Sequence, residues 1–439
     1  MKYSVDQPIN DKKDDLLGRK TFSKYLGKAI YEHNQEAGLV IGLYGKWGTG
    51  KTSVINMAKN EIKKLAKKDG NESLIIKFSP WSYSNKSDLI YTFLKNLGNE
   101  LGIQADEETK KYKIGKFLSD YAEAFSVVKF IPFVGTIIEP VAKTAIKVQG
   151  ENLTQVPDLE GTKDNLVKEL KDLKNKIIVV IDDIDRLTNP QIRDIFQLVK
   201  QVADFPNIVY VLVMDKEVVC SALEKVHNMD GNEYLEKIVQ VPFELPETRK
   251  DSLHNILRDR INKIVNGHVS NEEYYDSVLR NCVEPYINTM RDINRLINIF
   301  QFKYEALNKE TLPEDLLAIT TLEVLESKLY KWIYDNKGFV CGDKEYALVV
   351  LEKEKLGYDH DYYCNKYYNE FKSRGINPDT AVDCVATLFP NFAKIIGKYR
   401  HIGAPSTEGI KEKMRIADLE KFETYFVFNL DNIKDFKHK

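Results

Sequence analysis

What this chain lacks narrows its class before any motif is read. Its five cysteines, Cys220, Cys282, Cys341, Cys364 and Cys384, form no C-x-x-C pair and stand apart from any paired histidines. That spacing excludes a disulfide-stapled scaffold and a zinc ribbon, and predicts buried or idle thiols in a reducing compartment. No H-E-x-x-H and no G-x-S-x-G occurs, and the seven histidines are dispersed, which removes zinc-peptidase and serine-hydrolase constellations. Long apolar runs are missing too. The nearest approach, FIPFVGTII at 130–138, is bounded by Lys129 and Glu139 and falls short of the ~20 residues that span a bilayer. The first twenty residues lack the charged-then-apolar shape of a secretion signal, so an intracellular, cytoplasmic protein without a membrane span is expected. Lys and Arg number 64 against 66 Asp and Glu, and a formal charge of −2 excludes a wholesale electrostatic grip on a polyanion.

What is present is a globular composition, 43% hydrophobic and 30% charged over 439 residues, enough for two or three domains. Short aliphatic runs alternate with helical stretches, which predicts an α/β fold whose parallel sheet carries helices on both faces. The expected strands are Leu39–Tyr44, Leu74–Phe78, Ile177–Ile181, Ile208–Met214 and residues 238–243, each a near-continuous aliphatic run. Helical periods lie between them, as at 53–67 and 189–203. Beyond about Leu245 the strand signal fades. Residues 250–335 read as successive amphipathic helices, clearest at 294–300 and 315–333, and residues 336–439 as a Tyr- and Phe-rich, mostly helical region. Residues 101–160 separate the second and third strands by more than a crossover needs and read as a helical insertion. Within it, 125–148 sets Lys129, Lys143 and Lys147 around an apolar centre. This is either a hairpin packed on its own domain or a surface helix for a membrane or partner. The expected organisation is therefore 1–100 with 161–247 as an α/β core, 101–160 as the insertion, 248–335 as a helical lid or sensor domain, and 336–439 as a mostly helical C-terminal domain.

Chemistry enters at LVIGLYGKWGTGKT, residues 39–52, where Gly45, Gly50, Lys51 and Thr52 satisfy G-x-x-x-x-G-K-[S/T]. Glycines let such a loop turn tightly, and its consecutive N–H groups, with the positive end of the next helix, cradle phosphate. The lysine reaches the β- and γ-phosphates, and the hydroxyl after it ligates Mg²⁺. A strand runs in and a helix from Ser53 runs out, the context a P-loop NTPase requires. Gly45, Lys46, Trp47, Gly48, Thr49, Gly50, Lys51, Thr52 and Ser53 are thus the candidate ATP-binding residues.

Such a loop demands a carboxylate at the end of another buried strand to hold the metal from the far side. IIVVIDDIDRL, residues 177–187, supplies one: aliphatics precede Asp182 and Asp183 at the carboxyl edge, where open α/β sheets bind ligands. Asp182 is expected to orient Mg²⁺ with Thr52, and Asp183, facing the other way, to polarise the attacking water. Asp183 is a methylene shorter than a glutamate, which predicts slow, timing-type hydrolysis.

GLYGKWGTGKTS (42–53), IIKFSPWSYSNKSDLI (75–90), IDDIDR (181–186) and NIVYVLVMDKEVV (207–219), in that order and around a large insertion, resemble the KAP family of P-loop NTPases. MRDINRLIN (290–298) is similar to the family's arginine-bearing helix after the core, and RIADLEKFETYF (415–426) to its distal R-I…F-x-x-Y-F signature. SVDQPINDKKDDLLGR (4–19) is similar to its leader. The resemblance implies an additional-strand ATPase core followed by a helical domain, with Leu17, Gly18 and Arg19 at the adenine. It places Asp215 where a polar sensor would read the γ-phosphate, although the residue also suits a helix N-cap. Arg291 or Arg295, spaced i,i+4, would reach the phosphates. Arg186 either serves the site, in its own subunit or in a neighbour, or pairs locally with Asp183 or Asp185. Trp81 packs on a helix or stacks on a base; Trp47 lids the phosphates or anchors the loop. Many family members carry transmembrane helices in the insertion, a feature not expected here because Lys129, Pro132, Glu139 and Lys143 break its apolar length. An ATP-driven conformational or oligomerisation switch, homo-oligomeric through its core and acting in anti-phage defence with a separate effector, is the leading expectation. A nucleic-acid-coupled motor or loader, using KYYNEFKSR (366–374) and KIIGKYRH (394–401), is the alternative. A scaffold that binds nucleotide without hydrolysing it is the third reading.

Overall fold

The computed structural model describes residues 5–33, 38–83, 88–102, 109–129, 147–148, 151–152, 159–173, 176–202, 204–227, 230–398 and 414–426. Two compact units are formed, one from Pro8–Glu247 and the other from Thr248 onward together with the first residues through Gln7.

In the first unit five parallel strands, β1 (Leu39–Tyr44), β2 (Leu74–Phe78), β3 (Ile177–Ile181), β4 (Ile208–Met214) and β5 (Val241–Glu244), lie in the order β2-β3-β4-β1-β5. Their aliphatic runs have no polar alternation because both faces are covered. Ile76, Phe78, Ile177, Val179, Ile181, Tyr210 and Leu212 feed one core; Ile41, Leu43, Ile178, Val180, Val209 and Val211 feed the other. Helices α1 (Lys20–Glu32) and α2 (Lys51–Lys68) close the second core. Helices α3 (Leu89–Gly102), α4 (Lys110–Lys129), α5 (Leu159–Lys171), α6 (Asn189–Gln197) and α7 (Lys216–His227) contribute to the first. β4 pairs with both β1 and β3. The loop-bearing strand and the acid-bearing strand are therefore separated by one intervening strand, the additional strand that the family resemblance implies.

Three expectations are corrected. The fifth strand begins at Val241, not 238, because Asp230 caps a short helix, Gly231–Glu236, and Ile238 and Val239 still donate backwards to Leu235 O. Gln240 joins β1 at that point, its N–H to Val40 O at 3.0 Å and its Oε1 accepting Val40 N–H at 2.6 Å. The helical period at 189–203 is α-helix only to Gln197; a wider π turn follows over Leu198–Val202. The stretch 315–333 is two helices, Pro313–Leu325 and Ser327–Asp335, broken at Glu326 (φ −140°, ψ 64°). The first of them is buried continuously from Glu314 to Leu322, on every face rather than on the single face that the amphipathic reading expects.

The beginning of the insertion belongs to the core packing. Ile114, Leu118, Tyr121 and Ala122 of α4 are buried in the first core. α3 and α4 cross at Gly98 and Gly115, where a Cβ on either would lie within 2.7 Å of the other's carbonyl oxygen. Most of 125–148, including Pro132, Glu139 and Lys143, falls at 130–146, outside the described residues. Among the described residues no helix is long and apolar enough to cross a membrane.

The second unit is helical, running through Lys250–Val265, Glu272–Val278, Met290–Leu307 and the helices from Pro313 onward. Its centre is a buried ion pair. Asp315 Oδ2 accepts from Arg415 Nε and from Ile416 N–H, both at 2.9 Å, while Tyr274 O–H donates to Asp315 Oδ1 at 2.5 Å. The Arg415 guanidinium lies 4.0 Å over the Tyr274 ring, and Tyr425 O–H donates to Met414 O at 2.6 Å while accepting Leu312 N–H at 2.8 Å. Those bonds pin segment 414–426 onto the buried helix and account structurally for the R-I…Y-F pattern. Arg415→Met strands Asp315 without its cation and should destabilise this unit by about 3–5 kcal/mol, whereas Asp315→Leu with Arg415→Met should recover most of the loss. Urea unfolding together with hydrogen exchange along Pro313–Leu325 measures both; a single variant as stable as the wild type would show that the pair does not hold the segment.

Candidate functional site

The loop grows directly out of the sheet. Gly45 N–H still pairs across to Met214 O at 3.2 Å, so the chain leaves the plane only when the β1–β4 ladder is complete. Gly48 (φ 79°) and Gly50 (φ 91°) take left-handed conformations that curl the backbone. Thr49 closes the curl, its N–H and hydroxyl donating to Lys46 O at 3.3 and 2.6 Å. α2 starts at Lys51, which turns its unpaired N–H groups and positive end toward the loop. Lys51 Nζ folds back onto Gly45 O (2.7 Å) and Lys46 O (3.3 Å) and stands 3.7 Å from Asp185 Oδ2. Ser53 faces elsewhere: its Oγ accepts Ile9 N–H at 3.2 Å, tying the leader to α2.

The acidic edge meets the loop at one point. Thr52 Oγ1 donates to Asp182 Oδ2 at 3.1 Å across 130 residues of sequence. Asp182 is buried, and burial followed by the neighbouring Asp183 pushes its carboxyl above the ordinary carboxylate range. Lys77 Nζ, 3.7 Å from Asp182 Oδ2, opposes that shift. Asp183 has a left-handed backbone (φ 64°, ψ 29°), a strain of about 1 kcal/mol that aspartate tolerates better than most residues. It aims at different partners: Ser79 Oγ donates to its Oδ2 at 3.2 Å, and Arg186 Nε forms an ion pair with its Oδ1 at 2.8 Å. Of the local partners open to Arg186, the structure selects Asp183.

Both loop-proximal tryptophans converge on that arginine. Trp47 is 58% exposed and Trp81, in the Pro80–Tyr83 turn, 50% exposed. The Arg186 guanidinium lies 5.1 Å from the Trp47 ring centroid and 5.7 Å from that of Trp81. Trp81 thus neither buries itself on a helix nor stands alone.

The remaining candidates fall in several places. Arg19 is buried, donating Nη1 to Thr49 O and Nη2 to Pro246 O at 3.2 Å, so it braces the loop from behind. A Cβ at Gly50 would meet that guanidinium at 3.0 Å. Leu17 is half-buried and Gly18 exposed with φ 70°. Asp215 follows β4 and accepts Glu217 N–H at 3.2 Å, the bond of a helix N-cap. Arg291 and Arg295 belong to the other unit, where Arg291 pairs with Asp6 at 2.5 Å and Arg295 donates to Val324 O at 3.1 Å. Lys77, Ser79 and Asp185 carry contacts that motif reading passed over. A lysine in an otherwise aliphatic strand and a third acid in D-D-x-D were the available signals.

Thr52 and Asp182 offer two hard oxygen ligands with no thiolate or imidazole, which suits a hydrated cation shared with phosphate oxygens. Among the described residues no cluster of three or more His, Cys, Asp or Glu side chains forms an all-protein metal cage. The residues present therefore fit Mg²⁺ bound together with a phosphate ligand.

Comparison with known proteins agrees with this geometry. The chain is 28% identical over 353 residues to the phage T7 exclusion protein of Escherichia coli strain K12, an alignment covering 75% of this chain and 47% of that protein. It thus spans about half the length of that relative. Among solved structures, the Aeropyrum pernix ORC2 protein is similar with a TM-score of 0.40 and 15% identity over 72% of each chain. A Walker-type ATPase of Pyrococcus abyssi has a TM-score of 0.35 and 13% identity, over 89% of this chain and 98% of its own. A family model described as the KAP family P-loop domain matches residues 19–307, well over half of the chain and inclusive of the loop, the acidic edge and the strand between them. The chain belongs to the KAP family of P-loop NTPases.

Proposed function

We propose that this protein binds and slowly hydrolyses ATP with Mg²⁺, using the bound nucleotide to switch its conformation and assembly. The reading rests on one observation: the Thr52 hydroxyl and the Asp182 carboxylate, 130 residues apart in sequence, lie 3.1 Å apart beside the loop lysine. In this reading residues 45–52 cradle the phosphates, Lys51 exchanges its backbone partners for phosphate oxygens, and Thr52 and Asp182 hold Mg²⁺. When bound there, that ion neutralises charge on the β- and γ-phosphate oxygens. Asp183 orients and polarises water. Arg19, with Leu17 and Gly18, fixes the loop beside the adenine, and Asp215 and Arg291 or Arg295 report the γ-phosphate. The name of the Escherichia coli relative supports a setting in phage exclusion; a separate polypeptide as effector and self-association through the core complete the proposal.

No observation favours the nucleic-acid reading. In KYYNEFKSR, Tyr367 and Phe371 are buried and face a core, which leaves the half-buried Tyr368 as the one aromatic between its lysines that reaches the surface. In KIIGKYRH, Ile395 and Ile396 are buried, and residues 399–401 lie outside the described residues.

Lys51→Ala should weaken triphosphate binding by at least about tenfold, the loss of one charge-assisted contact. Asp183→Asn should bind ATP at least as tightly as the wild type while lowering turnover by about 100-fold, as loss of a positioned base does. Single-turnover phosphate release checks it, and unchanged release would remove Asp183 from the chemistry. No turnover in the wild type despite binding would leave the scaffold reading standing. Light scattering after size exclusion should give different masses with ATP, ADP and no nucleotide for the wild type, and one mass under all conditions for Lys51→Ala. A nucleotide-independent wild-type mass would end the assembly switch.

A further inference from the structure

We propose that Arg186, held within cation–π range of Trp47 and Trp81, is a positioning residue that exchanges Asp183 for the terminal phosphate of a bound triphosphate and thereby releases Asp183 for water. The inference rests on the nucleotide-binding reading above and adds to it how the site distinguishes triphosphate from diphosphate.

The geometry sets a conflict. Asp183 is the carboxylate placed to polarise water, yet both of its oxygens are committed, Oδ1 to Arg186 at 2.8 Å and Oδ2 to Ser79 at 3.2 Å. While the guanidinium holds one oxygen and the serine hydroxyl the other, the carboxylate cannot turn toward a water at the terminal phosphate, so the pair must open before Asp183 can act. Arg186 is built to leave. Its side chain is 36% exposed, and its closest contact with the carboxylate runs through Nε rather than through the two terminal nitrogens, Nη1 and Nη2. Those groups form a planar fork suited to a phosphate. Both indole rings lie within cation–π range of the guanidinium, an attraction that holds the cation beside the loop without using up its N–H donors. Trp47 lies inside the phosphate-binding loop, between Gly45 and Lys51, so a guanidinium on its ring is already beside the phosphate site. A terminal phosphate carries more charge than the single carboxylate it displaces. A diphosphate ends before that position and leaves the Arg186–Asp183 pair closed.

Titration calorimetry with Mg²⁺ and either adenylyl imidodiphosphate or ADP tests the exchange. Arg186→Ala should weaken the triphosphate analogue about tenfold and leave ADP within about twofold. Arg186→Lys, which keeps the charge without the fork, should restore part of the loss and replaces the alanine variant should that one unfold. Asp183→Asn, by removing the competitor, should tighten the analogue about threefold or more, and only while Arg186 is present. Tryptophan emission should change with the analogue and not with ADP, and Arg186→Ala should abolish the difference. Equal effects of Arg186→Ala on both nucleotides, no effect on either, or an Asp183→Asn gain that persists without Arg186 would each overturn this inference and leave nucleotide binding intact. A wild type that binds neither nucleotide would overturn both readings.

Discussion

The hydrogen bond from Thr52 to Asp182 is the contact on which the core is organised, because it fixes where two distant segments must meet. β1 and β3 are not neighbours, and β4 holds them apart by pairing with each: Tyr44 stands opposite Met214, and Ile181 opposite Leu212. Register is therefore a functional variable. A slip of one residue in either ladder would send Asp182 to the other face of the sheet and separate it from the loop. The two hydrophobic cores resist that slip, since alternate residues of each central strand are buried on opposite faces and both faces would have to be re-exposed. A parallel sheet of fully buried strands thus converts nonspecific aliphatic burial into a defined separation between a hydroxyl and a carboxylate.

Much of this was legible in the sequence, and the reason is that buried strands and phosphate loops are local patterns. Four of the five strands are bounded where their aliphatic runs begin and end, and the loop's glycines mark its left-handed turns. Non-local partners left weaker traces. Arg186 is one arginine in D-D-x-D-R, and nothing in its neighbours announces that Trp47, 139 positions earlier (186 − 47), and Trp81 will face its guanidinium. Arg19 reads as a leader residue, yet it is buried against the carbonyl of Thr49. The helix expected over 315–333 is present but broken, and its interruption at Glu326 is a tertiary outcome that a local apolar pattern does not mark.

The helical unit solves a different problem with similar means. Arg415 and Asp315 are both fully buried, which is costly for isolated charges, and the pair is tolerable only because Tyr274, Ile416 N–H and the carbonyl of Leu388 supply further hydrogen bonds. Geometry of that kind specifies position more than it adds stability. It gives segment 414–426 one seating on helix Pro313–Leu325, which apolar contacts alone, being non-directional, would leave less defined.

Under the proposed function, the internal pairing of the site's groups favours a switch over a rapid hydrolase. Every group that chemistry would need is occupied by another part of the protein. Lys51 lies on the carbonyls of Gly45 and Lys46, Asp182 on Thr52 near Lys77, and Asp183 on Ser79 and Arg186. Each exchange of a protein partner for the ligand returns only the difference between two contacts, which is largest for Lys51, whose neutral carbonyl partners give way to charged oxygens. The net preference for the bound arrangement then comes from the few contacts that only a complete ligand can make, and a ligand shifts a two-state equilibrium by no more than that difference. A site arranged in this way is insensitive to fragments of its ligand and responsive to the whole, at the expense of speed, because several partner exchanges precede each bond cleavage. Slow turnover is the expected companion of such a design, with the short reach of Asp183 adding to the delay.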